Sequence, residues 1–308
     1  MDAWTSRERI VHANGIEICC ETFGQPNDPP LLLIMGLGGQ MISWDSDFCE
    51  AIADHGFRVI RFDNRDVGHS TRFPHSRTPT IREMMRAAWR SKPLDAPYTL
   101  SDMADDAAGL LEALGLASAH VVGISMGGMI AQTLAIHHPV RIRSLTSIMS
   151  NIGEPELGLL LRPKVLLALL RPGPSEREGY IEHGIKVWRL VSGPDLPFDE
   201  ERARRSAELA YDRGPSAEGT TRQLAAILAS GSRKQALKGV TAPTLVIHGE
   251  ADPLLSVRGG IATAQAIPGA KLLLIPGMGH GIPPSLAPQI VDAIVEHVAQ
   301  AEKGHVHG

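Results

Sequence analysis

The chain has 308 residues, 43% of them hydrophobic and 21% charged, with a formal net charge of −4. That length suits one large core with a smaller inserted lobe, and the mild acidity gives no electrostatic reason to expect nucleic acid or an anionic membrane as partner. The cysteines are Cys19, Cys20 and Cys49. The adjacent pair points to opposite faces of an apparent strand, which suits neither a mutual disulfide nor a metal clip and fits a reducing, cytoplasmic setting. The opening MDAWTSRERIVHANG lacks the apolar stretch of a secretory signal, and LLLIMGLGG (31–39) and VLLALL (165–170) are too short to span a bilayer. The histidines of the terminal AEKGHVHG read as a frayed end rather than a metal site.

In chain order, ERIVHANGIEICCETFG alternates around Asn14-Gly15 and predicts a β-hairpin. LLLIM (31–35) and FRVIRFD (57–63) are short apolar runs of the kind buried on both faces of a parallel sheet, and WDSDFCEAIADHG between them has helical spacing with a glycine stop. LSDMADDAAGLLEALGL predicts a helix, AHVVGI a strand, MGGMIAQTLAIHHP a helix closed by Pro139, and SLTSIMS a strand. From 151 to 238 the rhythm changes to arginine-rich helical segments with many prolines and no clear strand. TLVIHGEADP, a helix around 257–267, KLLLIP and a last helix from Leu286 to about Ala301 then restore it. The expected class is therefore α/β, a mostly parallel sheet with helices on both faces. Residues 1–150 and 239–308 form its core, and 151–238 form an inserted helical cap.

The chemistry centres on Gly123-Ile124-Ser125-Met126-Gly127, a G-x-S-x-G match with a strand before it and a helix after it. Such an elbow strains the serine backbone and lifts Oγ to the carboxyl edge of the sheet, beside a helix N-terminus whose free N–H groups stabilise developing negative charge. A serine nucleophile needs a base, and the base needs an orienting acid. TLVIHGEADP offers Glu250 and Asp252 just past one strand, and KLLLIPGMGHG offers His280 just past the next. Asp252 is preferred because its longer lead lets the carboxylate turn back over the sheet edge. His280 lies between two glycines, where a bulky ring meets little crowding. His248 is the rival base, but it stands at the strand end beside the acid. His120 sits at the wrong end of the sheet, and His137 and His138 close a helix.

Taken together these segments resemble the α/β-hydrolase superfamily over nearly the full length. LLLIMGLGG matches its oxyanion loop and RFDNRDVGHS its D-x-R-G-x-G-x-S segment, with Asp66 where glycine is usual. GISMGG matches the nucleophile elbow, LVIHGEADP the acid loop and GMGHG the histidine loop. Met35 departs from the histidine of the common H-G pair, yet the donors in this class come from the backbone. The resemblance implies the N–H groups of Leu37 and Met126 as oxyanion donors. Within the superfamily the chain is similar to the aclacinomycin methylesterase type, through IMG, WRLVSGPDLPFDE (188–200) and IPGMGH. That group hydrolyses a methyl ester of a polyketide.

The resulting expectation is a carboxylesterase-type serine hydrolase working through an acyl-enzyme on a small-molecule ester, a methyl ester or a lactone among the candidates. It needs no metal and no organic cofactor, and the chain is compatible with a monomer or a homo-oligomer. Gly36, Trp44, Leu160, Trp188 and Met278 are the candidate pocket residues, with cap-to-core packing the default account of Leu160 and aromatic packing that of Trp44 and Trp188. Asp63, Arg65 and Asp66 read as a hydrogen-bonded loop brace. A serine at position 125 argues against a dehalogenase or an epoxide hydrolase, which need an acidic nucleophile. A cofactor-free perhydrolase or haloperoxidase, a carbon–carbon bond hydrolase and, more remotely, a small-molecule receptor share the scaffold and stay open.

Overall fold

The computed structural model describes residues 8–90, 94–154, 165, 168, 173–194 and 196–305. Asn14 and Gly15 both take positive φ, 49° and 74°, as a two-residue hairpin turn requires, and join β1 (Arg9–Ala13) to β2 (Ile16–Phe23). The other strands are β3 (Pro30–Ile34), β4 (Arg58–Phe62), β5 (Ala119–Ile124), β6 (Ile142–Ile148), β7 (Thr244–Gly249) and β8 (Lys271–Ile275). They form one sheet in the order β1-β2-β4-β3-β5-β6-β7-β8. The β1/β2 and β2/β4 pairs are antiparallel and every later pair is parallel. The expected α/β class and mostly parallel sheet are what the molecule has.

The apolar runs are strands because both faces of the sheet are covered. Leu32 and Ile34 of β3 enter one core with Leu110, Ile130 and Leu134, while Leu31 and Leu33 enter the other with Phe48, Ile52 and Ile294. The second core is closed by α1 (Ser46–Ala53) and, from the far end of the chain, α10 (Ala287–His305). The first is closed by α3 (Leu100–Ala113) and α4 (Met126–His137). Helix α2 (Ile81–Arg90) was not expected from the apolar pattern. Its signal is a start motif: the Thr80 N–H donates to Glu83 at 2.7 Å and the Glu83 N–H returns to Thr80 Oγ1 at 3.3 Å, a capping box.

Between β6 and β7 the described residues contain no strand. They form α5 (Arg177–Val191), α6 (Glu200–Asp212), α7 (Ala217–Ser230) and the single turn α8 (Lys234–Leu237). Helix α9 (Val257–Ala266) follows β7. Ile181, Ile185, Ala203 and Ala207 make a small core between α5 and α6, with Phe198 against it.

The segment after β4 ties this helical region to the sheet. Buried Asp63 accepts the N–H groups of Met41 at 2.7 Å and His69 at 2.9 Å and is paired with Arg213. Arg65 makes a two-point contact with Asp106 of α3, at 2.6 and 2.7 Å. Asp66 does the same with Arg222 of α7, at 2.8 and 2.7 Å, and accepts the Tyr98 hydroxyl at 2.7 Å. Desolvation alone would raise the Asp66 carboxyl; Arg222, the Phe73 N–H and Tyr98 outweigh it and hold it below the usual range. Glu8, Cys19 and His69 also gather within 4.8 Å. Arg213 already pairs with Glu8, which argues against a cation there.

Candidate active site

Strands β3, β5, β7 and β8 end at one edge of the sheet, and the segments that leave them supply the site. Parallel strands carried in this order leave a crevice at their carboxyl ends. Ser125 follows β5 at φ 55° and ψ −119° and caps α4. A non-glycine residue held there stores on the order of 1–3 kcal/mol of backbone strain. Its N–H donates to Ile148 O at 2.9 Å, and Ser150 Oγ donates to its carbonyl at 2.8 Å, so β6 and the residues after it grip the turn. The glycines around it are demanded by distance. A Cβ on Gly123 would lie 2.1 Å from Gly127 O, and one on Gly127 would lie 2.0 Å from Ile34 O. The elbow is thus pressed against β3 and against the first turn of α4.

His280 Nε2 lies 2.9 Å from Ser125 Oγ, and His280 Nδ1 lies 2.7 Å from Asp252 Oδ2. An ionised carboxylate only accepts, so Nδ1 carries the proton and Nε2 presents its lone pair to the hydroxyl. Asp252 Oδ1 accepts the N–H groups of Leu254 at 2.8 Å and Leu255 at 2.9 Å, which fixes the carboxylate plane. Burial pushes the Asp252 carboxyl up, but the charge of His280, hydrogen bonds from His248 and His280 and the Leu255 N–H prevail and hold it far below the usual range. Glu250 is exposed, and its N–H donates to Ile275 O at 3.1 Å. The rival His248 is fully buried, 3.2 Å from Leu255 O and 3.5 Å from Asp252 Oδ2; it braces the acid from behind. His120, at the other end of the sheet, contacts Ser144 at 2.8 Å and Glu302 at 3.0 Å.

The glycines beside His280 have a different reason from the expected freedom of presentation. A Cβ on Gly279 would lie 2.1 Å from Gly193 N, and one on Gly281 would touch the Trp188 ring at 3.4 Å. They let the segment after α5 close down on the histidine, whose N–H donates to Val191 O at 2.8 Å. Gly36 approaches the elbow just as closely: a Cβ there would stand 3.1 Å from Ser125 Cβ. The Met126 N–H opens α4 and so has no acceptor within its helix. The next loop residue, Gly38, is held by its own N–H on Gln223 at 2.8 Å.

Two spaces lie at this edge, and Ser125 lines the first of them. One is lined by Gly36, Leu37, Ser125, Val187, Ile227 and Leu254 among others, and is mostly apolar. The other is walled by Trp44, Phe198, Arg202, Ile282 and Pro283 and by the loop carrying His280. Trp188 lines both and Trp44 the second. Met278 is a correction: it lines neither space and lies wholly buried among Ile247, Ile275 and Ile290, because the chain needs an apolar plug beneath the turn after β8. Leu160 falls outside the described residues. Ile124, Leu254, Val187 and Ile227 are wall residues that the sequence reading missed. The first two sit one and two positions from Ser125 and Asp252, so proximity was a usable signal, whereas nothing in the helical pattern marks Val187 or Ile227.

The fold, the elbow and the order of the loops define a class: the chain has the α/β-hydrolase fold. A family model described as the alpha/beta hydrolase fold matches residues 29–172, and one described as TAP-like protein matches residues 227–304. The chain is 29% identical to rhodomycin D methylesterase DauP of Streptomyces sp. (strain C5), over 95% of this chain and 98% of that protein. It is 26% identical to 2-hydroxymuconate semialdehyde hydrolase of Pseudomonas putida, over 77% of this chain and 82% of that protein. Among solved structures, the enol-lactonase of Burkholderia xenovorans LB400 superposes with a TM-score of 0.72 at 24% identity, covering 94% of this chain and 100% of that one.

Proposed function

We propose that the protein hydrolyses a carboxylic ester of an apolar small molecule through an acyl-enzyme on Ser125. The observation that carries this reading is the unbroken series from Ser125 Oγ to His280 Nε2, 2.9 Å, and from His280 Nδ1 to Asp252, 2.7 Å. His280 takes the Ser125 proton as Oγ bonds to the ester carbonyl carbon, and the N–H groups of Leu37 and Met126 receive the oxyanion. Asp252 keeps Nδ1 protonated and stabilises the imidazolium. Collapse of the tetrahedral species breaks the bond to the alcohol oxygen, which takes its proton from His280 Nε2. Water then attacks the acyl-enzyme, giving its proton to His280, and the second collapse returns that proton to Ser125 Oγ and frees the acid.

Residues 151–238 act as a cap over the carboxyl edge in this reading. Its support is that α5 supplies Val187 and Trp188, α6 supplies Arg202 and α7 supplies Ile227 to the walls around Ser125. Among the described residues no helix is long and apolar enough to cross a membrane.

Ser125→Ala tests the mechanism. Hydrolysis of nitrophenyl acetate should fall to background while the thermal transition stays in place; turnover at the wild-type rate by the folded variant would overturn the assignment. A narrower reading, cleavage of a methyl ester, is favoured by the similarity to rhodomycin D methylesterase over almost the whole of both chains.

A further inference from the structure

An oxyanion donor on an irregular loop needs something to hold it. Residues 35–39 belong to no strand or helix, yet the Leu37 N–H must stay aimed at one point beside Ser125. The loop restrains itself in part: the Gly39 N–H donates to Gly36 O at 3.1 Å, and Gly38 turns the chain between them at φ 67°. Among the described residues the Leu37 N–H itself meets no acceptor. The other restraints come from outside the loop.

At its start, Asn64 Nδ2 donates to Met35 O at 2.9 Å. Further along, the Gly38 N–H donates to Gln223 Oε1 at 2.8 Å, and Gln223 Nε2 donates to Arg65 O at 2.8 Å. These two bonds leave the amide one orientation, because an N–H needs its oxygen and a carbonyl needs its nitrogen. Gln223 is completely buried, so both its polar ends must be satisfied or the burial is costly. Arg65 is itself held by its two-point contact with Asp106 of α3. The loop is thus tied through one side chain to two helices and to the segment after β4.

Spacing along α7 puts this anchor beside two other contacts. Thr220, Gln223 and Ile227 follow one another at three and four residues and share a helix face. Thr220 packs so tightly on Gly38 that a Cβ there would lie 2.7 Å from the threonine Oγ1. Ile227 lines the same space as Leu37 and Ser125, whereas Gln223 lines neither space.

We propose that Gln223 is a positioning residue for ester hydrolysis: it fixes the loop that presents the Leu37 N–H and so sets how strongly the oxyanion is held. This rests on the hydrolytic reading above and deepens it.

Gln223→Met keeps the length of the side chain and removes both hydrogen bonds. Losing an oxyanion donor outright costs about 10²–10³ in kcat, and a loop shift that weakens it should cost about 10- to 100-fold. With nitrophenyl acetate, kcat and kcat/KM should fall together by that factor, with KM within about threefold of the wild type. Phenylboronic acid forms a tetrahedral adduct on Ser125 with an oxygen where the oxyanion develops, and it should bind more weakly by the same factor. Wild-type kcat/KM in the folded variant would overturn the proposal. So would a loss confined to KM, or an unchanged phenylboronate affinity. Gln223→Asn is the second variant should the first not fold, since it keeps the amide but is too short to make both bonds. It should lose about threefold to tenfold in kcat, and wild-type kinetics in it would equally overturn the proposal. Failure of the hydrolytic reading shows itself separately, as a wild type inert towards nitrophenyl acetate or a Ser125→Ala variant that still turns it over.

Discussion

Asp66 occupies a backbone position with φ 75°, where the matching segment of the superfamily carries glycine. Asp66→Gly removes the penalty of a side chain in the left-handed region, a gain of about 1 kcal/mol. It also strips Arg222 of both charged hydrogen bonds, and Arg222 is only 2% exposed. Leaving one partner of a buried ion pair uncompensated costs about 3–5 kcal/mol. The Phe73 N–H, 2.9 Å from Asp66, and the Tyr98 hydroxyl lose their acceptor as well, at about 1 kcal/mol each. Water admitted to the vacated volume recovers part of this, so the net expectation is a loss of about 3 kcal/mol and a Tm lower by about 4–5 °C. Urea unfolding followed by circular dichroism measures it, with m unchanged if only the native state is affected. Arg222→Met in the Asp66→Gly background should restore at least half of the loss, because the orphaned charge is the main cost. An Asp66→Gly protein as stable as the wild type would refute the reasoning, since strain relief would then outweigh the ion pair.

Other outcomes follow from the same geometry. Asp252→Asn should lower kcat by about 10⁴ while leaving nitrophenyl ester KM within a few-fold, because the amide favours the wrong imidazole tautomer. The Asp252 carboxyl is held below its unfolded value, so the stability it contributes is complete above about pH 4 and fades as the pH falls through the folded value. The gap in unfolding free energy between wild type and Asp252→Asn should accordingly narrow on acidification, and a widening gap would contradict it. Gly127→Ala puts a methyl group 2.0 Å from Ile34 O and should yield little soluble protein or an inactive elbow, judged by expression and nitrophenyl acetate turnover. Burial pushes the thiols of Cys19 and Cys49 up to about 12, so neither should react with iodoacetamide at pH 8 until the chain is unfolded.

The strands and most helices were legible because their signals are local. Asn14-Gly15 fixes a hairpin by backbone preference alone, and a five-residue apolar run such as β3 has no stable place except between two covered faces. Ser125, Asp252 and His280 were legible because each follows a recognisable strand by a short, countable lead. Helix α2 was missed although its capping box lay open in Thr80 to Glu83. Met278 was misplaced because a residue two positions from a functional one is as apt to plug the turn as to face the ligand.

What the sequence determined by itself is the α/β alternation and the chain order of Ser125, Asp252 and His280, since both are written in contiguous segments of a few residues. The tertiary structure alone decided that the glycines flanking His280 exist to admit Gly193 and Trp188, and that Val187 and Ile227 reach the walls beside Ser125. Each of these depends on contacts between segments far apart in the chain, such as Trp188 and Gly281 or Asp66 and Arg222. Residue type and spacing carry no record of such a distance until the sheet has brought the segments together.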